Sequence, residues 1–288
     1  MNNFWSKKVQ STEILHFSRT QRINEDTKHL WLEPLNIKPN FKILEVGCGS
    51  GHFTNTIKRT FPDCEVVGID LDEGHIKFAK EISQGVTYLC ADINDLPFED
   101  DYFDIVFSHT VIEHLPFKNF IAEQKRVLKP NGKIFIYEVE PKQKHVHTFD
   151  YLKDEINEIL DKIDVLEIEK PNVGVYSNKP YEVLTKLDNE GFYDCKLEFK
   201  EIMYYFPDNA PSKQSAIEQI ESARLAEMYE YLFVISLSTN GEQFEQQLLD
   251  LNKRRYDERI KLFDQNKKIY DYETTFLRVM SGTKKASK

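Results

Sequence analysis

The stretch Lys42-Ile43-Leu44-Glu45-Val46-Gly47-Cys48-Gly49-Ser50-Gly51 decides how this chain folds. Ile43, Leu44 and Val46 form an apolar run of strand length and read as a short buried strand. Gly47, Gly49 and Gly51 follow at once, and Phe53, Ile57, Lys58 and Arg59 then read as a helix. Strand, glycine turn and helix open a nucleotide-binding βαβ unit. Glycine suits such a turn because a side chain would hold a ligand away from the backbone, and because tight turns often need positive φ.

The details of the turn select among ligands. The dinucleotide fingerprint is G-x-G-x-x-G, with a pyrophosphate on a helix N-terminus. Here the third glycine comes one residue early and His52 takes the sixth position. Glu45 stands two residues before the first glycine, where a carboxylate repels a pyrophosphate and attracts a cation. At these residues the chain resembles the class I S-adenosylmethionine-dependent methyltransferases, whose first motif reads (D/E)-x-G-x-G-x-G. S-adenosylmethionine carries an ammonium and a sulfonium and no phosphate, so a NAD-dependent dehydrogenase is the poorer fit. Glu45, Gly47, Cys48, Gly49 and Gly51 are therefore the expected seat of the cofactor.

Three later stretches agree. A second strand over Glu65–Asp70 puts Asp70 about 20 residues beyond the turn, where an acid accepts hydrogen bonds from ribose hydroxyls. Leu71 is expected beside the adenosine. A helix over 73–82 and a strand over 86–90 lead to Asp92 and Ile93. The resemblance implies that Asp92 takes the adenine amino group and that Ile93 offers its backbone amide to the ring. The run Phe103-Asp-Ile-Val-Phe-Ser-His-Thr-Val-Ile-Glu-His-Leu115 is similar to the fourth motif of small-molecule methyltransferases. It sets His109 at the tip of the central strand, against the cofactor. His109 and His114 are the candidate catalytic residues: His114, with Glu113 beside it, as a base for a hydroxyl acceptor, or as a fixture of the loop. A helix over 119–128 and the turn Lys129-Pro130-Asn131-Gly132 precede a fifth strand over 133–138. The resemblance covers roughly residues 40 to 140, and its nearest group is UbiE/UbiG-like.

Outside that core, Ile14, Phe17, Ile23, Leu30, Trp31, Leu32 and Leu35 mark apolar faces of short helices in residues 1–40. One reading packs them on the sheet edge. The other, which the resemblance suggests, makes residues 1–40 a cap over the cofactor. Arg19 and Arg22 then pair with its carboxylate, and Arg22 joins the cofactor-binding set. Residues 41–288 form the cofactor-binding domain. After helices over 151–163 and 181–190, Gly191 reads as a C′ glycine. A sixth strand spans 193–203, a helical hairpin is inserted over 212–268, and a last, antiparallel strand covers 273–281 before a frayed tail from Lys284. In the hairpin, Ile217, Ile220, Leu225, Met228, Leu232 and Ile235 face Phe244, Leu248, Leu251, Tyr256, Ile260 and Phe263, and Asn240-Gly241 turns the chain.

The expected fold is α/β: a doubly wound, Rossmann-like, seven-stranded and mostly parallel sheet with an antiparallel last strand. N-terminal helices and the inserted hairpin are added to it. A chain of 288 residues with 40% hydrophobic and 30% charged residues is ordinary for a soluble globular protein. A net charge of −10 weighs against a nucleic-acid surface, and no apolar run reaches membrane-spanning length. Four cysteines without C-x-x-C spacing read as reduced thiols of a cytoplasmic protein. His145 and His147 share a side of an extended segment, but no third ligand accompanies them, so no metal is expected. The expected activity is in-line transfer of a methyl group to a small-molecule acceptor, by a chain that is a possible homodimer. The alternatives are a protein or RNA methyltransferase, and a binding protein without transferase activity.

Overall fold

The computed structural model describes residues 3–140, 143–145, 150–167, 174–176 and 179–286. The chain opens with a π-type turn over Trp5–Val9, then α1 (Thr12–Arg22) and α2 (Lys28–Leu32). Ser11 caps α1 by accepting the Ile14 N–H at 3.3 Å. The sheet unit alternates β1 (Lys42–Val46), α3 (His52–Thr60), β2 (Glu65–Asp70), α4 (Glu73–Ile82), β3 (Thr87–Cys90), β4 (Phe103–His109), α5 (Phe117–Val127) and β5 (Leu128–Val139). The remainder is β6 (Gln143–His145), α6 (Asp150–Leu160), α7 (Pro180–Asn189), β7 (Phe192–Tyr205), α8 (Lys213–Ser236), α9 (Glu245–Asp264) and β8 (Tyr272–Lys284).

The sheet runs β3-β2-β1-β4-β5-β8, with β7 on the outer side of β8. Strands β1 to β5 are parallel, and β8 is antiparallel to both neighbours. The short β6 pairs with Tyr272, Glu273 and Thr274 of β8, on the side opposite β7. It thus takes up the line of β5 beyond residue 140, and the sheet keeps the expected seven-stranded layout. Strand β5 starts five residues before its expected position. Phe103 faces Leu128 while Ile105 already faces Lys133, so the expected turn at 129–132 is a bulge, with Asn131 at φ +63°. Lys284 is not frayed: it pairs with Phe192, and its Nζ donates to the Leu128 carbonyl and to Asp101, each at 2.6 Å. Gly191, at φ +89°, ends α7 as expected.

Both faces of the sheet are covered, which is why its strands are apolar on both sides. On one face Trp31, Phe53, Ile57, Phe107 and Tyr137 pack with Tyr204 and Ile220. On the other, Leu44, Val46, Phe120, Ile121, Val183 and Leu187 form the second layer. A third cluster joins Leu152, Ile156 and Ile159 of α6 to Tyr231 and Ile235 of α8 and Leu248 and Leu251 of α9. Helix α8 therefore packs its first half toward the sheet through Ile220 and its second half toward α6 and α9 through Tyr231 and Ile235. This moves its buried stripe from the expected Leu225, Met228 and Leu232 to Ala226 and Tyr231. The reversal after α8 uses no left-handed residue at Asn240, whose φ is −134°. Gly241 is required by space instead, because a Cβ there meets Ser238 Oγ at 2.3 Å. The Asn240 side chain ties the turn to the end of α6, accepting the Asp164 N–H at 2.8 Å and donating to the Lys162 carbonyl at 2.9 Å.

Among the described residues no helix is long and apolar enough to cross a membrane, and no group of three or more side chains is placed to hold a metal. His147 and the side chain of His145 lie outside the described residues.

The re-entry from α9 into β8 rests on a buried charge network. Arg259 donates to Asp271 at 2.7 Å and to Asp208 at 3.1 Å, with all three side chains at most 5% exposed. Asp208 also accepts the Ile269 and Tyr270 amides, and the Tyr205 hydroxyl donates to Asp271 at 3.0 Å. Replacing Arg259 by Met leaves two buried carboxylates without a cation. The expected loss is about 3–5 kcal/mol of stability, read as a lower urea midpoint.

Candidate active site

The turn after β1 builds one wall of a cleft at the C-terminal ends of β1, β2 and β4. Gly47, Gly49 and Gly51 have φ of +68°, +53° and +74°. Gly47 and Gly49 line the cleft. A Cβ on Gly47 meets Val111 Cγ2 at 2.5 Å, and one on Gly49 meets Leu15 Cδ2 at 2.4 Å. The opposite walls are thus within one methyl group of the backbone. Gly51 does not face the cleft: it points back at Tyr88 Oη and Ala79 Cβ, 2.6 and 2.8 Å from where its own Cβ would be. It is glycine so that α3 can pack against β3 and α4. Cys48 likewise turns away, into a cluster with Ile76, Ala79 and Tyr88.

Asp70 closes the turn from below. Its Oδ2 accepts the Gly49 N–H at 2.8 Å and its Oδ1 the Asp72 N–H at 2.9 Å. Each oxygen keeps a further lone pair for a ligand hydroxyl. Leu71 is 43% exposed beside it, a large apolar side chain left open toward the cleft. Across from Leu71, Ile93 is buried, and Asp92 accepts both the backbone and the side-chain N–H of Asn94 at 2.8 Å.

Glu45 does not line the cleft. Val46 lines it, whereas Glu45 is buried at 2% exposure, where Thr54 Oγ1 donates to the carboxyl. Burial pushes Glu45 up to about 8, partly offset by Thr54 and by Arg19. The expected open carboxylate is thus a buried group behind the turn. The two arginines are placed differently. Arg19 lines the cleft and donates to Thr110 Oγ1 at 2.6 Å, one helical turn from Leu15 on the same face of α1. Arg22 sits at the end of α1, turned toward Tyr204, and its carbonyl holds the Trp31 indole N–H at 2.9 Å. Burial, together with Arg22, pulls Arg19 down to about 9, so it remains a cation at neutral pH.

His109 lies in the wall with 4% exposure, its Nε2 buried and without a hydrogen-bond partner. Burial, aided by the charges of Arg19 and Arg22, holds it well below the ordinary histidine range, so the ring is neutral. Trp31 packs on it at 5.0 Å. His114 also lines the cleft, but its Nδ1 accepts the Gly174 N–H at 2.9 Å. Burial lowers it too. With that lone pair committed, His114 fixes the loop after β4 and offers no free base.

The cavity measures about 360 Å³, and Trp5, Gln10, Leu15 and Arg19 of the N-terminal segment line one side of it. Thr110, Val111, His75 and Asn94 also line it. The N-terminal turn crosses the mouth as a strap. Trp5 packs edge-on against His114 at 4.7 Å, and Ser6 donates through its hydroxyl and its amide to Asp72 at 2.8 and 3.0 Å. Phe17 of α1 stacks on Tyr229 of α8 at 5.2 Å, so the hairpin backs the helix that carries Arg19. The sequence signal for Leu15 was its helical spacing to Arg19. Trp5 and His75 carry no local signal.

Residues 44–136 match a family profile described as a methyltransferase domain. The chain is 30% identical over 196 residues to the sterol 24-C-methyltransferase of Candida albicans, covering 62% of this chain and 48% of that protein. It is 35% identical over 140 residues to phosphoethanolamine N-methyltransferase 1 of Arabidopsis thaliana, covering 45% of this chain and 27% of the relative. The chain thus spans half or less of the length of these curated relatives. The fold is similar to that of phosphoethanolamine N-methyltransferase 2 of Haemonchus contortus, solved with phosphomonomethylethanolamine and S-adenosylhomocysteine. The TM-score is 0.54 at 18% identity, over 99% of this chain and 60% of that one. Residues 44–136 are therefore similar to methyltransferase domains in sequence, and the chain as a whole is similar to a methyltransferase in fold. The glycine cradle, the Asp70 carboxylate and the neutral, unpartnered His109 fit S-adenosyl-L-methionine as its cofactor.

Because a Cβ on Gly49 would meet Leu15 Cδ2 at 2.4 Å in the wall of the cleft, Gly49→Ala should weaken binding of S-adenosyl-L-methionine about tenfold or more, by calorimetry. The circular dichroism spectrum should stay that of the parent. Unchanged affinity in a folded Gly49→Ala protein places the cofactor elsewhere.

Proposed function

We propose that this chain is an S-adenosyl-L-methionine-dependent methyltransferase acting on a small-molecule acceptor. The observation that carries the reading is the roofed cleft in which the matched domain's glycine turn meets Asp70, Asp92 and Arg19. Such a cavity, closed above by the strap and by α1, suits a compact acceptor better than a protein or RNA strand. The named relatives act on a sterol and on phosphoethanolamine, which supports the same class.

The bound cofactor supplies a methyl group on a sulfonium, together with its own leaving group. The chain's share of the work is placement and exclusion of water. Asp70 accepts the ribose hydroxyls while two backbone amides hold its plane. Leu71 and Ile93 flank the adenine, with Asp92 accepting its amino group and the Ile93 amide facing the ring. Arg19 pairs with the cofactor's carboxylate, steadied by Thr110 in front and Glu45 behind. His109, neutral and unpartnered at Nε2, faces the methionine end. Because His114 is committed to Gly174, no dedicated base is assigned, and an acceptor that is nucleophilic without one fits best. Residues 1–40 act as the cap of this site, and the hairpin of α8 and α9 supports the cap through the Phe17–Tyr229 stack.

Incubating the protein with S-adenosyl-L-methionine and separate sets of sterol, amine and hydroxy-lipid acceptors should release S-adenosylhomocysteine with one set. Turnover with RNA or protein alone overturns the small-molecule reading. Arg19→Met should raise the KM for the cofactor by about 10- to 100-fold, the worth of a charge-assisted hydrogen bond. Arg22→Met should leave it nearly unchanged.

A further inference from the structure

A second cavity, of about 310 Å³, opens at the end of the sheet opposite the cleft, where β4 and β5 begin. The bulge of β5 makes one wall. Between the pairs Phe103–Leu128 and Ile105–Lys133, the single residue Asp104 stands against Lys129 to Gly132, and the strand bows outward there. Asn36 and Lys38, in the segment before β1, line the cavity as well.

Every side-chain acceptor in this lining already takes a hydrogen bond. Asp104 Oδ1 accepts from Lys129 Nζ and its Oδ2 from the Lys42 amide, each at 2.8 Å. Asn36 Oδ1 accepts from Lys38 Nζ at 3.0 Å, and Asn131 Oδ1 from the Tyr193 hydroxyl at 3.3 Å. The donors are left over. Among the described residues Lys133 Nζ has no hydrogen-bond or ion-pair partner, Lys38 Nζ meets no carboxylate, and Nδ2 of Asn36 and of Asn131 has no acceptor. Asp104 is the one acid in the lining, and it is paired with Lys129. Two ammonium groups therefore share a concavity without a counter-charge, on a chain whose net charge is −10. A concave wall of one sign concentrates ions of the other.

We propose that this cavity is a second ligand site, separate from the cleft, and that it takes a phosphoryl group. A wall that offers N–H groups and no spare side-chain acceptor selects a ligand rich in acceptor oxygens. A phosphomonoester carries about two negative charges and three such oxygens. Lys38 and Lys133 match that charge, and the two asparagine amides supply further donors. The site lies at the opposite ends of the strands from the cleft, so its occupant is neither the cofactor nor the methyl acceptor.

Calorimetry of the full chain with inorganic pyrophosphate, in buffer free of divalent cations, tests this. The wild type should bind it, more weakly as salt is raised. Lys133→Gln and Lys38→Gln should each weaken binding about tenfold or more, the worth of a charge-assisted hydrogen bond. No binding to the wild type, or equal binding by folded variants, overturns the proposal. Displacement of pyrophosphate by S-adenosylhomocysteine puts it in the cleft and overturns the proposal too. If the variants do not fold, hydrogen exchange of the wild type decides: pyrophosphate should protect the amides of 129–133, and protection confined to other residues sinks the idea. Co-sedimentation separates the two sources of a phosphoryl group. Lys133-dependent binding to phosphatidic acid vesicles, and not to phosphatidylcholine alone, assigns a lipid headgroup. Pyrophosphate binding without it assigns a free solute.

Discussion

How near the backbone of the turn after β1 can be approached governs this molecule. Three left-handed glycines let the chain leave β1 and enter α3 without a side chain between them and their neighbours. The Asp70 carboxylate then pins the turn by accepting the Gly49 amide at the end of β2. Leu15 on one side and Val111 on the other come so close that a single methyl group has no room. The cleft's width, its floor and the placement of its roof all follow from that contact distance.

The roof depends on polar contacts over long sequence separations. Ser6 reaches Asp72, the residue that caps α4, and so shares the carboxylate that starts that helix. Arg19 reaches Thr110, whose amide is in turn held by the Tyr137 carbonyl at the edge of β5. A loop, a helix and a strand end are thereby joined around one cavity. Burial pushes down two histidines of its wall, His109 and His114, and pushes up Glu45, which does not line it.

The elements added to the sheet are held by their own core and their own charges. The α6, α8 and α9 cluster buries apolar surface away from the sheet, and the Arg259 network fixes the angle at which the chain returns to β8. The hairpin reaches the cleft through α1, by the stack of Phe17 on Tyr229. A change in the hairpin is thus transmitted to Arg19 through packing.

The sequence by itself determined the parallel core, the glycine turn, and the placing of Asp70, Leu71, Asp92, Ile93 and His109 at strand ends. These features rest on local rules: apolar runs of strand length, glycine where φ is positive, and acids where a strand hands over to a helix. Local rules also misplaced several side chains. Gly51 and Glu45 belong to the motif, yet the first serves helix packing and the second is buried against Thr54 rather than lining the cleft. Arg19 and Arg22 are neighbours on a helical wheel, and only tertiary contacts separate them: Arg19 meets Thr110 just after β4, and Arg22 turns toward Tyr204 of β7. Trp5, Gln10 and His75 were illegible in the sequence. Their neighbours, Asp72 beside Ser6 or His114 beside Trp5, are brought together by tertiary folding across separations that no local pattern records.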